Sequence, residues 1–315
     1  MRRQGLIRGR QEIARNVVSG SGSRDRRVVP SRQQAGARRD KVSVTLSDVL
    51  LSVLSGTTPH ASATRRLAAE PSSPEQEPLR RCVIYRSAFP MTEVVPPAMA
   101  LRNHVVAKWV SDQNVAIEVR SGDDLGVSLA AGIHPARLTI HADGLSANEI
   151  LFCTANLGVN RLVVNSTEQV DLLASRAPRR RQGVLVAMTD VNAAVDGTAG
   201  EADDVVGVIL DRGRLDLIGL HCEIGAGERD FISYPAAIGH MITEMAHIRD
   251  EHDIVLTALA LGGGRAVPPG DWAVQLPQLA TEIDESLDDA CATLRFPRPM
   301  VALSASLAIL GQEAA

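Results

Sequence analysis

Three short stretches of this chain carry groups that can do chemistry at close range. In Leu220-His221-Cys222-Glu223 the histidine and the glutamate are two apart on an extended run, so they share one face while Cys222 points the other way. With His141 or Asp190 that pair can serve as general acid and base or bind a divalent metal. Gly262-Gly263-Gly264 closes an apolar run. Three residues without Cβ let successive backbone N–H groups turn onto an anion, so the run reads either as a phosphate nest or as a flexible loop. Primary amines are scarce: of 33 basic residues only Lys41 and Lys108 are lysines, which limits any chemistry that begins with an imine.

The elements that must position these groups are short apolar runs alternating with helical patterns. Strands are predicted at Cys82–Tyr85, Val115–Val119, Arg137–Ile140, Arg161–Val164, Val184–Met188, Leu215–Leu220 and Ile254–Leu261, with Pro299–Ala302 as an eighth. Helical patterns fill the gaps, among them Asn103–Asp112, Asp123–Ala131, Ser146–Asn156, Thr167–Ser175 and Ala236–Asp250. A repeating βα unit implies a parallel sheet, and seven or eight units imply closure into a (β/α)₈ barrel of the TIM type. Such a barrel builds its active face at the carboxyl ends of its strands. The polar residues expected there are Tyr85, Arg86 and Ser87, His141 and Asp143, Asn165, Thr189 and Asp190, His221 and Glu223, followed by the three glycines.

Composition bounds the rest. With 315 residues, 45% apolar and 22% charged, the chain can bury a substantial core, and no stretch has the length of apolar sequence a membrane-spanning helix needs. Cys82, Cys153, Cys222 and Cys291 are widely spaced, without a CxxC or Cys/His cluster. Neither a disulfide framework nor a structural zinc site is signalled, and a reducing cytoplasm fits. The net charge of −4 hides an asymmetry: residues 1–40 hold eleven arginines against Glu12, Asp25 and Asp40, a local +8 that leaves −12 for the remainder. This basic segment reads as a disordered tail rather than a nucleic-acid-binding arm or transit peptide. Residues 41–80 read as a short amphipathic helix (43–55) and a Pro- and Ser-rich linker, and residues 81–310 as the barrel domain.

From about Val83 to Gly264, with a weaker extension to about Leu310, the sequence resembles the fold-type III pyridoxal-phosphate-dependent decarboxylases of the diaminopimelate, ornithine and arginine group. The segment Trp109 to Leu125 is similar to the family's run into its second strand and the Ser-Gly-Gly-Glu-Leu turn. Gly132 to His141 is similar to the stretch ending in a His-Gly-Asn type sequence, and Leu217-Ile-Gly-Leu-His221-Cys-Glu-Ile-Gly225 to the Gly-Leu-His-x-His-Ile-Gly-Ser motif. Leu261-Gly-Gly-Gly264 resembles the phosphate loop. The resemblance implies an alanine racemase-like barrel, pyridoxal phosphate held by Gly262, Gly263, Gly264, His141, His221 and Arg298, and a basic or dicarboxylic amino acid as ligand, with a place in amino-acid metabolism such as lysine biosynthesis.

The departures fall on the chemistry. The family's first strand ends in a Tyr-Ala-x-Lys-Ala motif whose lysine forms the Schiff base; the sequence matched to it, Tyr85-Arg-Ser-Ala-Phe89, has none. Lys108 falls roughly 130° from the centre of the apolar face formed by Val105, Val106, Trp109 and Val110 at 100° per residue, which points it outward. The second histidine of His-x-His is Glu223, the phosphate-binding serine is Ala226, Lys-Phe-Gly is Val205-Val-Gly207, and the strand-five arginine is Ala187. Arg298 sits in a distorted Glu-Pro-Gly-Arg motif, Phe296-Pro-Arg-Pro299, and the seventeen residues after it leave no room for the family's C-terminal β-domain. The expectation is a degenerate homologue without decarboxylase activity, acting as a homodimer or beside a full-length paralogue. Two alternatives stay open: an active decarboxylase using Lys108 or a non-covalent cofactor, and a metal-assisted barrel enzyme.

Overall fold

The computed structural model describes residues 73–175, 181–188, 200–225, 233–264, 267 and 270–311. The basic tail, the 43–55 helix and most of the linker lie outside these residues. Eight strands form one parallel sheet in the order β1-β8-β7-β6-β5-β4-β3-β2: β1 (Glu93–Val95), β2 (Ile117–Val119), β3 (Leu138–His141), β4 (Arg161–Val164), β5 (Gln182–Met188), β6 (Leu215–Glu223), β7 (Ala258–Gly262) and β8 (Met300–Ser304). Helices α1 (Glu77–Ala88), α2 (His104–Asp112), α3 (Gly122–Ala130), α4 (Ala147–Phe152), α5 (Thr167–Ser175), α6 (Gly200–Asp211), α7 (Tyr234–His252), α8 (Trp272–Leu294) and α9 (Ser306–Leu310) surround the sheet or cap it. This is the expected (β/α)₈ barrel.

The seam between β1 and β2 is thin. A single parallel bridge joins Pro97 to Glu118, and the Glu118 N–H donates to the Pro96 carbonyl at 3.0 Å. Two successive prolines have no N–H to offer, so a regular ladder cannot form there.

The first predicted strand is overturned. Cys82–Tyr85 lies inside α1, where Cys82, Ile84, Tyr85 and Ala88 are buried and Glu77 pairs with Arg80 and Arg81 one turn on. A four-residue apolar run does not distinguish a strand from a buried helical turn. The true first strand is only three residues long and runs straight into Pro96-Pro97, which masked it. Arg86 and Ser87 consequently do not end a strand: the Arg86 guanidinium lies over the Trp109 ring at 5.7 Å, and Ser87 donates to the Ile84 carbonyl within its own helix. The other predicted strands and helices lie within a few residues of observed ones. Between α4 and β4 the chain makes a π turn at Cys153–Leu157, closed by Gly158 at φ +65.

Local sequence sets the strand-to-helix turns. Ser121 caps α3 by accepting from the Asp124 N–H, and the Asp124 carboxylate in turn accepts from the Arg120 N–H at 3.0 Å. Ser146 and Glu149 form a reciprocal capping box at α4. These turns fix where β2 and β3 deliver their last side chains.

Candidate functional site

The carboxyl ends of β2, β3, β6 and β8 bring a polar network together. Glu118 on β2 is 4% exposed and accepts three hydrogen bonds, from His141 Nε2 at 3.0 Å, Arg120 Nη2 at 3.0 Å and Ser304 Oγ at 2.5 Å. Burial pushes its pKa up, but the His141 bond and the Arg120 charge outweigh this and hold it well below the usual carboxylate range. Ionised, Glu118 can only accept, so the His141 Nε2 carries the hydrogen. On β6, Glu223 accepts from Arg120 Nη2 at 2.8 Å and from His221 Nε2 at 3.3 Å. Its pKa too is lowered: burial raises it, and His221 and Arg120 overcome that. Burial lowers the His221 pKa, with Glu223 opposing incompletely, so the neutral ring is favoured. The rings of His141 and His221 meet edge to face at 4.8 Å.

Arg120 is the hinge of this arrangement. It leaves the end of β2 and spans to Glu223 on β6, the strand on the opposite side of the barrel, so the pair crosses the mouth. Two carboxylates raise its pKa further above an already high value, overcoming the opposing effect of burial. Beside it opens a cavity of about 160 Å³ whose walls include Arg120, His141, Asp143, Asn165, Met188, His221 and Glu223.

The glycine run sits at the same mouth. A Cβ on Gly262 would stand 2.4 Å from Glu223 Oε2, 2.8 Å from His221 Cε1 and 3.0 Å from Arg120 Nη2, so the missing side chain makes room for the cross-mouth ion pair. Gly263 and Gly264 have φ of +68 and +85, the left-handed region glycine tolerates. The Gly264 N–H donates to the Gly225 carbonyl at 3.1 Å, and the Tyr234 hydroxyl packs where a Gly264 side chain would begin.

Of the sequence-predicted residues, His141, His221, Glu223 and the three glycines are brought together, and Tyr85 lines a small hollow beside Gly263 and Gly264 although it reaches it from a helix. Arg298 is not brought there. It precedes β8, at the amino end of the barrel, and pairs with Asp284 and Asp288 on α8. Lys108 faces outward on α2, its side chain 77% exposed and paired with Asp112 at 2.9 Å. Thr189, Asp190 and Ala226 lie outside the described residues. Among the described residues no group of three or more His, Cys, Asp and Glu side chains is placed to hold a metal ion, and no helix is long and apolar enough to cross a membrane.

Glu118, Arg120 and Ser304 were missed as site residues. The signal was present: a glutamate inside the apolar run Val115 to Val119 must find a partner if that run is a buried strand, and Arg120, two residues on, shares its face.

With this geometry in place, comparison with known proteins is specific. The profile of the family described as pyridoxal-dependent decarboxylase, pyridoxal binding domain, matches residues 76–303. The chain belongs to this family. It is similar to the diaminopimelate decarboxylase of Actinosynnema pretiosum subsp. auranticum, with 26% identity over 249 residues, 74% of this chain and 56% of that protein. Similarity to the Corynebacterium efficiens diaminopimelate decarboxylase is 24% over 252 residues, 73% of this chain and 55% of the relative. The chain thus spans about half the length of the curated relatives it matches. Solved structures with the same fold include the M. jannaschii diaminopimelate decarboxylase in co-complex with L-lysine (TM-score 0.61, 14% identity, 75% of this chain and 60% of that one). Another is SrLDC in complex with PLP and cadaverine (TM-score 0.60, 18% identity, 80% and 65%). The family is one that binds pyridoxal, so pyridoxal phosphate is the cofactor implied by resemblance.

Proposed function

We propose that this chain is a member of the family that does not decarboxylate through a lysine-bound cofactor, and that its barrel mouth binds a compact amino-acid or amine ligand. The observation that carries the first half is that, among the described residues, no lysine amine stands at the mouth. Lys108 lies on the outer face of α2 in an ion pair. The run that follows β1, Pro96-Pro97-Ala98-Met99-Ala100, contains no lysine, and the Met99 thioether is neither an amine nor a base.

The remaining described residues also do not fit pyridoxal phosphate. The position of the second, ring-stacking histidine is a carboxylate tied to Arg120, the Gly264 N–H is spent on Gly225, and the space over Gly262 is filled by this chain's own side chains. An active decarboxylase working through Lys108 would require that residue to cross its own helix. Support for a small ligand comes from the charges. Among the described residues in and beneath the cavity, the carboxylates of Glu118, Glu223 and Asp143 outnumber the guanidinium of Arg120, which favours a compact cationic or zwitterionic amine. A cavity of about 160 Å³ is close to the roughly 150 Å³ that accommodates benzene, which sets the scale of the ligand.

The test is reductive trapping. After incubation with pyridoxal phosphate and borohydride, peptide mapping is expected to find no stoichiometric pyridoxyl group on Lys108 or Lys41. Saturable, stoichiometric labelling that vanishes in Lys108→Ala would restore the decarboxylase reading.

A further inference from the structure

We infer that Arg120 is a built-in occupant of the barrel mouth: a tethered guanidinium, clamped between Glu118 and Glu223, that fills the place of a planar cationic ligand. This goes beyond the reading above, whose first half rests on the missing amine and not on Arg120.

Three observations carry it. The two carboxylates approach the same Nη2 from β2 and β6, at 3.0 and 2.8 Å, so one planar head closes a gap across the whole mouth. Gly262 is compatible with this head only because it lacks a Cβ, which would stand 3.0 Å from Nη2. Glu118 is buried beneath, and the Arg120 guanidinium lies within hydrogen-bonding reach of it. Buried carboxylates without a cation are expensive, and the two N–H groups of Arg120 Nη2, fixed in the guanidinium plane, can each serve one of the two acceptors. The same recognition chemistry would therefore accept a free guanidinium of similar size if the tether were cut.

Chemical complementation tests this. Arg120→Ala is expected to melt below the wild type and to recover on addition of methylguanidinium, by roughly 3–6 °C at about ten times its Kd, following mass action. Wild type should show no such rise, and methylammonium, which has the charge but not a coplanar pair of N–H groups on one nitrogen, should rescue less. An Arg120→Ala protein as stable as wild type, or one that methylguanidinium does not raise above methylammonium, overturns the inference.

If Arg120→Ala does not fold, Glu223→Gln gives a second route. It removes the rim-side clamp and leaves the buried one in place. Arg120 should then react with phenylglyoxal several-fold faster than in wild type, measured by peptide mapping against the exposed Arg181 as internal reference. Unchanged reactivity overturns the inference. Neither result depends on pyridoxal phosphate, so failure here is distinguishable from failure of the trapping experiment.

Discussion

Replacing Glu118 with glutamine removes one charge and almost no volume from the centre of the network. The carboxylate takes His141 and Arg120 on Oε1 and Ser304 on Oε2. An amide can keep its oxygen toward His141 and Arg120 and turn its NH₂ to Ser304, whose hydroxyl rotates to accept, so the bonds survive and the charge does not. Hydrogen bonds to a charged group contribute about 1.5–3 kcal/mol against about 0.5–1.5 for neutral ones. Two such bonds weakened by about 1 kcal/mol each, plus the loss of Coulomb attraction to Arg120, give about 2–3 kcal/mol. That is below the roughly 3–5 kcal/mol of a fully buried broken pair, because Arg120 is 39% exposed and keeps Glu223. For a barrel of this size the melting temperature should fall by roughly 5–10 °C at neutral pH. The pH dependence has a definite sign. Glu118 is depressed in the folded state, so its contribution is complete above the unfolded value of about 4.3 and declines as pH falls toward the folded value, by about 1.4 kcal/mol per unit. Urea melts of wild type and Glu118→Gln from neutral to acid pH should therefore converge. A gap under about 1 kcal/mol at neutral pH, or one that stays constant below pH ~4, refutes the reasoning.

Gly262→Ala should cost about 1–3 kcal/mol by urea midpoint, since its Cβ collides with the buried His221 ring as well as with Glu223, whereas Gly126→Ala on α3, with open space around it, should stabilise by about 0.5–1 kcal/mol. Cys82 and Cys222, whose thiols burial pushes up to about 12, should resist iodoacetamide near pH 8 and label only when the chain is unfolded; rapid native labelling of either would show the core to be open. Arg298→Ala, at the far end of the barrel and half-solvated, should cost no more than about 1 kcal/mol in a thermal melt and leave any titration of the mouth with L-lysine unchanged.

The barrel was legible because its signal repeats: short β-branched runs at regular intervals, each followed by a helical period, specify parallel strands whichever residues end them. It failed only where the signal is short. Cys82–Tyr85 has strand-like composition in a helical frame, and Glu93–Val95 is a strand too brief to show a period. The site was half legible. His221 and Glu223 declared themselves by alternation, and the glycines by composition. Arg298 was misplaced because a motif match does not say which end of a strand it precedes. Glu118 and Arg120 carry a local signal in their two-residue spacing, but their link to Glu223 does not, because no spacing rule joins β2 to β6 and only closure of the barrel sets the guanidinium beside Glu223.

That closure has a consequence for binding. Glu118 and Glu223 already share a cation in the bare protein, because Arg120 reaches both and does not wait for a ligand to bring that charge. A small ligand that leaves the clamp intact has only the cavity beside it. For about ten non-hydrogen atoms at about 0.3–0.8 kcal/mol each, the binding free energy is about 3–8 kcal/mol, a Kd between millimolar and micromolar. Tighter binding requires a ligand that displaces Arg120 and takes over both carboxylates. Calorimetry with L-lysine and with methylguanidinium should then separate the two regimes: weak for both in wild type, and stronger for methylguanidinium once Arg120 is truncated. Nanomolar affinity of the intact protein for so small a ligand would mean that the clamp opens freely, and that the mouth is held by something other than Arg120.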